Sequence, residues 1–175
     1  MNSTRLFVLG ALAKDGPMHG HQIRRQAQED RTELWTDIKP GSLYGALHRM
    51  AADGVVEVVR TEQEGNMPPR TVYGITEAGW EELAQHRDEA LRTVRFPPDP
   101  VDLALLYVDD LSADDVRAVM TARRDEIAQR LAGWRTLHEQ ARPHLRGLEA
   151  ITFEHTLFRL EAELAWHNKF LGETT

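Results

Sequence analysis

The first thirty residues carry two helical patterns separated by a break. Residues 6–13 are apolar on nearly every side of a helix, which is typical of a helix buried on several faces. The segment Asp15-Gly16-Pro17 interrupts this pattern, because glycine and proline favour turns. A second helix is predicted over 19–29, where Ile23 and Ala27 lie one turn apart.

A third helix is predicted over residues 40–52, after a mostly polar connector. Leu43, Leu47 and Met50 are spaced by four and then three residues, so they form a single apolar face. Gly54 ends the helix, since glycine commonly follows the last helical turn.

Two strand-like segments come next and predict a hairpin. Residues 55–61 are rich in β-branched side chains, and residues 70–76 alternate in the manner of a strand. The segment 62–69 between them holds a Gly-Asn pair and two prolines, so we expect a long loop. Thr76 can cap a fourth helix over 77–93.

A proline-rich segment, Phe96-Pro97-Pro98-Asp99-Pro100, divides the chain. Proline lacks the amide hydrogen and restricts the residue before it, so helices stop on both sides. Three more helices are predicted beyond it, over 101–108, 112–141 and 148–171. We therefore expect two domains, 1–95 and 96–175.

The last predicted helix carries two apolar stripes. One consists of Leu148, Ile151, His155, Phe158, Ala162 and Ala165. The other consists of Leu157, Leu160, Leu164 and Leu171. Together they are wider than one neighbouring helix can cover, which favours contact with a second chain.

Three helices followed by a two-stranded hairpin give the order of a winged helix-turn-helix in a mainly α chain. The third helix would then be the recognition helix. Its polar face carries Gly41, Ser42, Gly45, His48 and Arg49, with Tyr44 at the edge. A glycine inside a helix costs about 1 kcal/mol relative to alanine, and close approach to DNA would account for it. An ordinary amphipathic helix with a solvated arginine is the alternative.

The segment Lys39–Gly54 resembles the third-helix signature of the PadR family of transcriptional regulators. That signature reads Gly-Ser/Thr-Leu/Ile-Tyr, then an apolar helix, then a glycine. Arg70–Gly79 is similar to the family's wing pattern, and His19–Ile23 to its second-helix pattern. The resemblance covers residues 4 to about 92, and Gly45 stands where the family often has proline.

The resemblance implies a homodimeric repressor that binds a pseudo-palindromic operator in double-stranded DNA, with C-terminal helices forming the dimer. The expected DNA contacts are Lys39, Gly41, Ser42, Tyr44, Gly45, His48 and Arg49 in the third helix and Asn66 and Arg70 in the wing. Glu62 and Glu64 oppose a wing contact with phosphate unless their side chains point away. A flexible, solvated loop is the alternative for the wing tip.

Aromatic residues suggest where a small effector could bind. In smaller relatives of the resembled family, aromatic side chains at the dimer seam hold flat hydrophobic molecules. The corresponding candidates here are Trp134, Phe158 and Trp166, with core packing as the alternative for the tryptophans. Trp35 and Trp80 are predicted to lie in the core of the winged domain.

Composition narrows the range of functions. The chain has no cysteine, which excludes disulfides, thiolate metal sites and thiol nucleophiles. The net charge of −7 belongs to residues 77–175, because residues 1–76 carry nine basic and nine acidic side chains. A neutral first part can still present a basic face to DNA.

No phosphate loop, paired nucleophile and base, or zinc-binding histidine pattern is found. We therefore expect neither an enzyme nor a metal or other cofactor. The absence of a long apolar run and of cysteine favours a cytoplasmic protein. A winged-helix module that binds another protein, without an operator of its own, is the alternative function.

Overall fold

A computed structural model describes residues 2–63 and 69–173 of the chain. The chain divides into two compact units, Met1–Phe96 and Pro97–Thr175. The first unit contains α1 (Ser3–Asp15), β1 (Met18–His19), α2 (Gly20–Glu29), α3 (Leu43–Ala52), β2 (Val56–Glu62), β3 (Arg70–Ile75) and α4 (Glu77–Arg92). The second contains α5 (Pro100–Ala104), α6 (Ala113–Ala141) and α7 (Leu148–Glu173). Short 3₁₀ turns lie at Thr32–Leu34, Pro40–Ser42 and Leu105–Tyr107.

The core of the first unit forms where α1, α2 and α3 meet the sheet. Its fully buried side chains include Leu9, Ile23, Leu43, Leu47 and Met50. These residues come from the apolar faces that the sequence predicts for the three helices. Burying an aliphatic side chain of this size contributes about 1.5–3 kcal/mol, so this cluster holds α3 in place.

The sheet has three antiparallel strands in the order β1-β3-β2. The sequence predicts the hairpin of β2 and β3, which the structure confirms, but it gives no signal for a third strand. The missing strand, β1, is two residues long, with Met18 opposite Tyr73 and His19 opposite Val72. A strand this short leaves no alternating pattern, and it forms because α1 and α2 bring it beside β3.

The start of α4 is capped as the sequence predicts. The hydroxyl oxygen of Thr76 accepts a hydrogen bond from the amide of Gly79 at 3.1 Å. The same hydroxyl donates to the carbonyl oxygen of Gly54 at 2.8 Å. This residue therefore joins the first turn of α4 to the segment that follows α3.

Two tryptophans do not lie where the sequence predicts them. Trp35 is 46% exposed and Trp80 is 51% exposed, so the expectation that both lie in the core is wrong. The indole N–H of Trp35 donates to the carbonyl oxygen of Asp30 at 3.1 Å, which holds the ring at the surface. On α4 the buried residues are Gly79 and Leu83, which places Trp80 beside the inward face.

In the second unit, α6 and α7 pack as an antiparallel pair. Their buried side chains include Met120, Leu131, Trp134 and the fully buried His167. The stripe that contains Leu171 faces α6, whereas Leu148, Ile151 and Phe158 of the other stripe are exposed. Among the described residues, no helix combines the length and apolar content that a membrane crossing requires.

Candidate nucleic-acid interface

Helix α3 buries one face and exposes the other. Its buried residues are Leu43, Ala46, Leu47 and Met50. Its exposed residues include Tyr44, Gly45, His48 and Arg49, and the preceding turn exposes Lys39, Gly41 and Ser42. The structure therefore places all seven predicted third-helix contacts at the surface of the first unit.

The turn before α3 is held by its own hydrogen bonds. The backbone amide and the hydroxyl of Ser42 both donate to the carbonyl oxygen of Lys39, each at 2.8 Å. Pro40 begins this turn, where its missing amide hydrogen costs nothing. The hydroxyl oxygen of Ser42 keeps its acceptor capacity, but the hydroxyl hydrogen is already used within the turn.

Helix α2 approaches the recognition helix closely at one point that the sequence analysis did not identify. A Cβ at Gly20 would lie 2.9 Å from the ring of Tyr44 and 3.1 Å from Leu47. A side chain at position 20 would therefore push the first turn of α3. The signal in the sequence is a glycine at the start of a predicted helix, where it has no evident conformational role.

The guanidinium of Arg49 lies along α3 over Gly45. A Cβ at position 45 would be 3.4 Å from Nη1 of Arg49. A methyl group at this position would touch the guanidinium in ordinary van der Waals contact. Within the described part of the chain, the side chain of Arg49 forms no hydrogen bond or ion pair, so its donors are available to a ligand.

The wing places Arg70 at the exposed start of β3, opposite Glu62 at the end of β2. Asn66 and Glu64 lie outside the described residues. The carboxylate of Glu62 contacts Nε of Arg60 at 2.5 Å and Nε2 of His19 at 3.1 Å. The hydrogen bond from Arg60 lowers the pKa of Glu62. Arg60 therefore offsets the negative charge of Glu62, so this glutamate opposes a wing contact with phosphate less than an unpaired one would.

A charged cluster at the end of α3 also escaped the sequence analysis. Arg5 of α1 donates through Nη1 to Oδ2 of Asp53 at 2.7 Å and through Nη2 to Oε2 of Glu82 at 2.7 Å. Its Nε also donates to the other carboxylate oxygen of Glu82. The hydrogen bonds from Arg5 lower the pKa of Glu82, and those bonds raise the pKa of Arg5. Sequence separations of 48 and 77 residues hide this cluster from any local pattern.

The three aromatic candidates for an effector site are not brought together. Trp134 is buried, stacks on Phe153 at 4.7 Å and donates to its carbonyl oxygen at 3.2 Å. Phe158 is 65% exposed, and Trp166 meets the edge of His167 at 4.7 Å. Within the described residues no ring contact joins the three, and their role in ligand binding stays a prediction.

The first unit is a winged helix-turn-helix: three helices, a small sheet and an exposed recognition helix, followed in the chain by a helical unit. Residues 8–85 match the family model described as the transcriptional regulator PadR-like family. The match to the PadR-like family of transcriptional regulators therefore covers most of the winged-helix unit.

Solved structures of similar fold cover the whole chain. The crystal structure of Bacillus subtilis PadR in complex with operator DNA matches with a TM-score of 0.77 at 19% identity, over 100% of this chain and 99% of that one. The structure of Bacillus subtilis PadR with p-coumaric acid matches with a TM-score of 0.74 at 18% identity, over 99% of both chains. At these identities the likeness establishes the fold of both units.

A relative in sequence is an uncharacterised 37.1 kDa protein in transposon TN4556 of Streptomyces fradiae. It is 33% identical over 115 residues, which make up 65% of this chain and 31% of that protein. The match thus spans about a third of that relative's length.

Proposed function

We propose that this protein is a homodimeric transcriptional repressor that binds an inverted repeat in double-stranded DNA through α3. The observation that carries the proposal is the exposed polar face of α3, where the unpaired guanidinium of Arg49 lies over Gly45. An arginine in the major groove can donate two hydrogen bonds to O6 and N7 of guanine. Bacillus subtilis PadR, whose fold is similar, has been crystallised with operator DNA.

The other exposed groups of this face have supporting roles. Tyr44 reaches the surface and can donate a hydrogen bond to phosphate or to a base edge, whereas the hydroxyl oxygen of Ser42 can accept from a base amino group. Lys39 and His48 add a positive charge and a polar group that can contact the phosphates of the DNA backbone. Arg70, with Asn66 beyond it, contacts the backbone or minor groove from the wing, and Arg60 compensates the nearby Glu62.

The second unit supports the proposed homodimer. Leu148, Ile151 and Phe158 form an exposed apolar stripe on α7. Burying apolar surface stabilises a complex by about 25 cal/mol per Å². A second copy of α7 and its neighbours would bury this stripe in a dimer interface. Two copies of α3 related by a two-fold axis would contact two half-sites of an inverted repeat. The domain boundary near residue 96 separates this dimerisation unit from the DNA-binding unit.

A small aromatic or hydrophobic ligand would release the repressor. Bacillus subtilis PadR has been crystallised with p-coumaric acid. Phe158 and Trp166 offer exposed aromatic surface for such a ligand in this chain. The site of action is the cytoplasm, where the DNA lies.

The test is a selection of bound sequences from a random double-stranded library, followed by mobility shifts on the selected site. We expect an inverted repeat whose binding weakens steeply with salt, because each phosphate contact releases counterions. Arg49→Ala should relax preference at one position in each half-site, and Arg70→Ala should weaken binding to all sequences. Arg92→Ala is the matched control, since Arg92 is exposed on α4 and pairs with Asp88.

Failure to retard any sequence selectively at low salt would contradict the proposal. Capture of a defined protein partner by a dimer that never binds DNA would instead support the alternative, a winged-helix protein-interaction module.

A further inference from the structure

Arg49 has a potential acidic partner on its own helix that it does not use. Asp53 follows Arg49 by four residues, and the amide of Asp53 donates to the carbonyl oxygen of Arg49 at 2.8 Å, so the helical geometry continues to Asp53. Opposite charges at this spacing are neighbours on a helix surface and pair readily. The carboxylate of Asp53 is instead bound by Arg5, at 2.7 Å.

Arg5 is built to hold Asp53 in this position. Two of its donors bind the carboxylate of Glu82 on α4, which fixes the guanidinium, and Nη1 then extends to Asp53. Arg5 and Arg49 line the same cavity of about 140 Å³ between the start of α1 and α3. The acid at the end of the recognition helix is thus drawn toward α1.

From this geometry we infer that Arg5 is a positioning residue for Arg49, an inference that rests on the proposed DNA-binding function. By binding Asp53, Arg5 keeps the guanidinium of Arg49 unpaired over Gly45. It also pairs with a carboxylate that lies one helical turn from the base contact proposed for Arg49. Arg5 itself contacts no DNA.

Lysine cannot replace Arg5 in this role. Arginine presents donors in a planar fork that can hold two carboxylates at once, whereas the ammonium group of lysine is a compact point charge. In an Arg5→Lys variant we expect the ammonium group to pair with Glu82, which is less exposed than Asp53. The carboxylate of Asp53 would then be free to pair with Arg49.

The experiment is a mutant cycle on the selected operator, with dissociation constants measured at one salt concentration. Arg5→Lys should weaken specific binding by about tenfold, the size of effect expected when one base contact is lost. Asp53→Asn alone should leave the affinity within about threefold of wild type, because Arg5 already holds this acid. The double variant Arg5→Lys with Asp53→Asn should recover the affinity, although its melting temperature stays below that of wild type.

If Arg5→Lys weakens DNA binding only by altering Arg49, the loss of affinity must disappear when Arg49 is replaced by alanine. In an Arg49→Ala background, Arg5→Lys should therefore cause no further loss of affinity. A loss that persists there would overturn the inference, because it would mean that Arg5 or the released Asp53 acts on DNA directly. Additive loss in the double variant would also overturn it, since a purely structural role predicts that removing a second partner makes binding worse.

The inference and the proposed function fail in different ways. If the wild-type protein selects no operator, the proposed function fails; if it selects one and Asp53→Asn gives no rescue, only the role of Arg5 fails. Should Arg5→Lys not fold, Arg5→Met combined with Glu82→Gln removes both enclosed charges together. The same rescue by Asp53→Asn is expected in that background, and its absence would contradict the inference.

Discussion

Gly79 lies directly against Val55, so that a Cβ at position 79 would be 2.1 Å from the carbonyl oxygen of Val55. That oxygen also accepts a hydrogen bond from the amide of Thr76 at 3.3 Å. The first turn of α4 is therefore packed onto the segment between α3 and β2, and only glycine fits the contact.

We expect Gly79→Ala to lower the free energy of unfolding by about 2 kcal/mol or more, because backbone must move to admit the methyl group. Urea unfolding followed by circular dichroism measures this loss. Gly10→Ala is the control, since a Cβ at Gly10 in α1 meets nothing within 4 Å. That change should preserve stability or raise it by up to about 1 kcal/mol. Equal effects of the two substitutions would contradict the packing described.

Phe158→Glu should convert the proposed dimer into a monomer. The side chain is 65% exposed within the apolar stripe of α7, and burying a carboxylate against an apolar surface is costly. Sedimentation velocity at micromolar concentration measures the change. Arg159→Glu, at the exposed neighbouring position, should leave the oligomeric state unaltered. A wild-type protein that sediments as a monomer would remove the basis of this prediction.

Glu82 should make the first unit sensitive to acid. The hydrogen bonds from Arg5 hold the pKa of Glu82 below its ordinary value of 4.5. A carboxyl group with a lower pKa in the folded state stabilises the fold above its unfolded pKa and loses this contribution as the pH falls through the folded pKa. Stability should therefore decline below about pH 4.5, and Glu82→Gln should flatten that decline.

The matched control for this acid titration is Glu81→Gln. Glu81 is exposed, and within the described residues its side chain forms no hydrogen bond or ion pair. Thermal unfolding between pH 3 and pH 7 should show the wild-type slope for Glu81→Gln. An unchanged slope in Glu82→Gln would mean that other carboxyl groups dominate the acid response.

The buried His167 should stabilise the second unit through a chain of hydrogen bonds. Its Nδ1 contacts the carbonyl oxygen of Glu163 at 2.8 Å, and its Nε2 accepts from Nε of Arg123 at 3.0 Å. Arg123 in turn binds Asp99, which caps the start of α5. His167→Leu should cost about 2 kcal/mol, because it leaves a charged donor without its partner.

Calorimetric unfolding of the His167→Leu variant at a fixed protein concentration measures the contribution of these hydrogen bonds. His144→Leu provides the control, because His144 is exposed in the connection between α6 and α7 and should change stability by less than about 0.5 kcal/mol. If the two substitutions lower the free energy of unfolding equally, the hydrogen bonds of His167 do not stabilise the second unit.

The helices were predictable because each carries its own periodic apolar face. Leu43, Leu47 and Met50 are all buried, and the polar face of α3 is exposed, as the spacing requires. The cap at Thr76 was predictable for a similar reason, since a hydroxyl before a helix satisfies amides only two or three residues away.

The errors arose where a residue's surroundings come from distant parts of the chain. Trp35 and Trp80 are predicted to lie in the core, but hydrogen bonding and helix orientation leave both half-exposed. Strand β1 was missed because two residues carry no period, and only pairing with β3 makes them a strand.

The sequence alone therefore determined the order of elements, the apolar faces and the exposed polar face of α3, because these depend on neighbours within one or two turns. Only the tertiary structure decided how Arg49 is presented. Its guanidinium lies over Gly45, and Arg5 binds the acid that would otherwise pair with it. Arg5 and Asp53 are 48 residues apart, so no local pattern encodes their contact; packing of α1 beside α3 creates it.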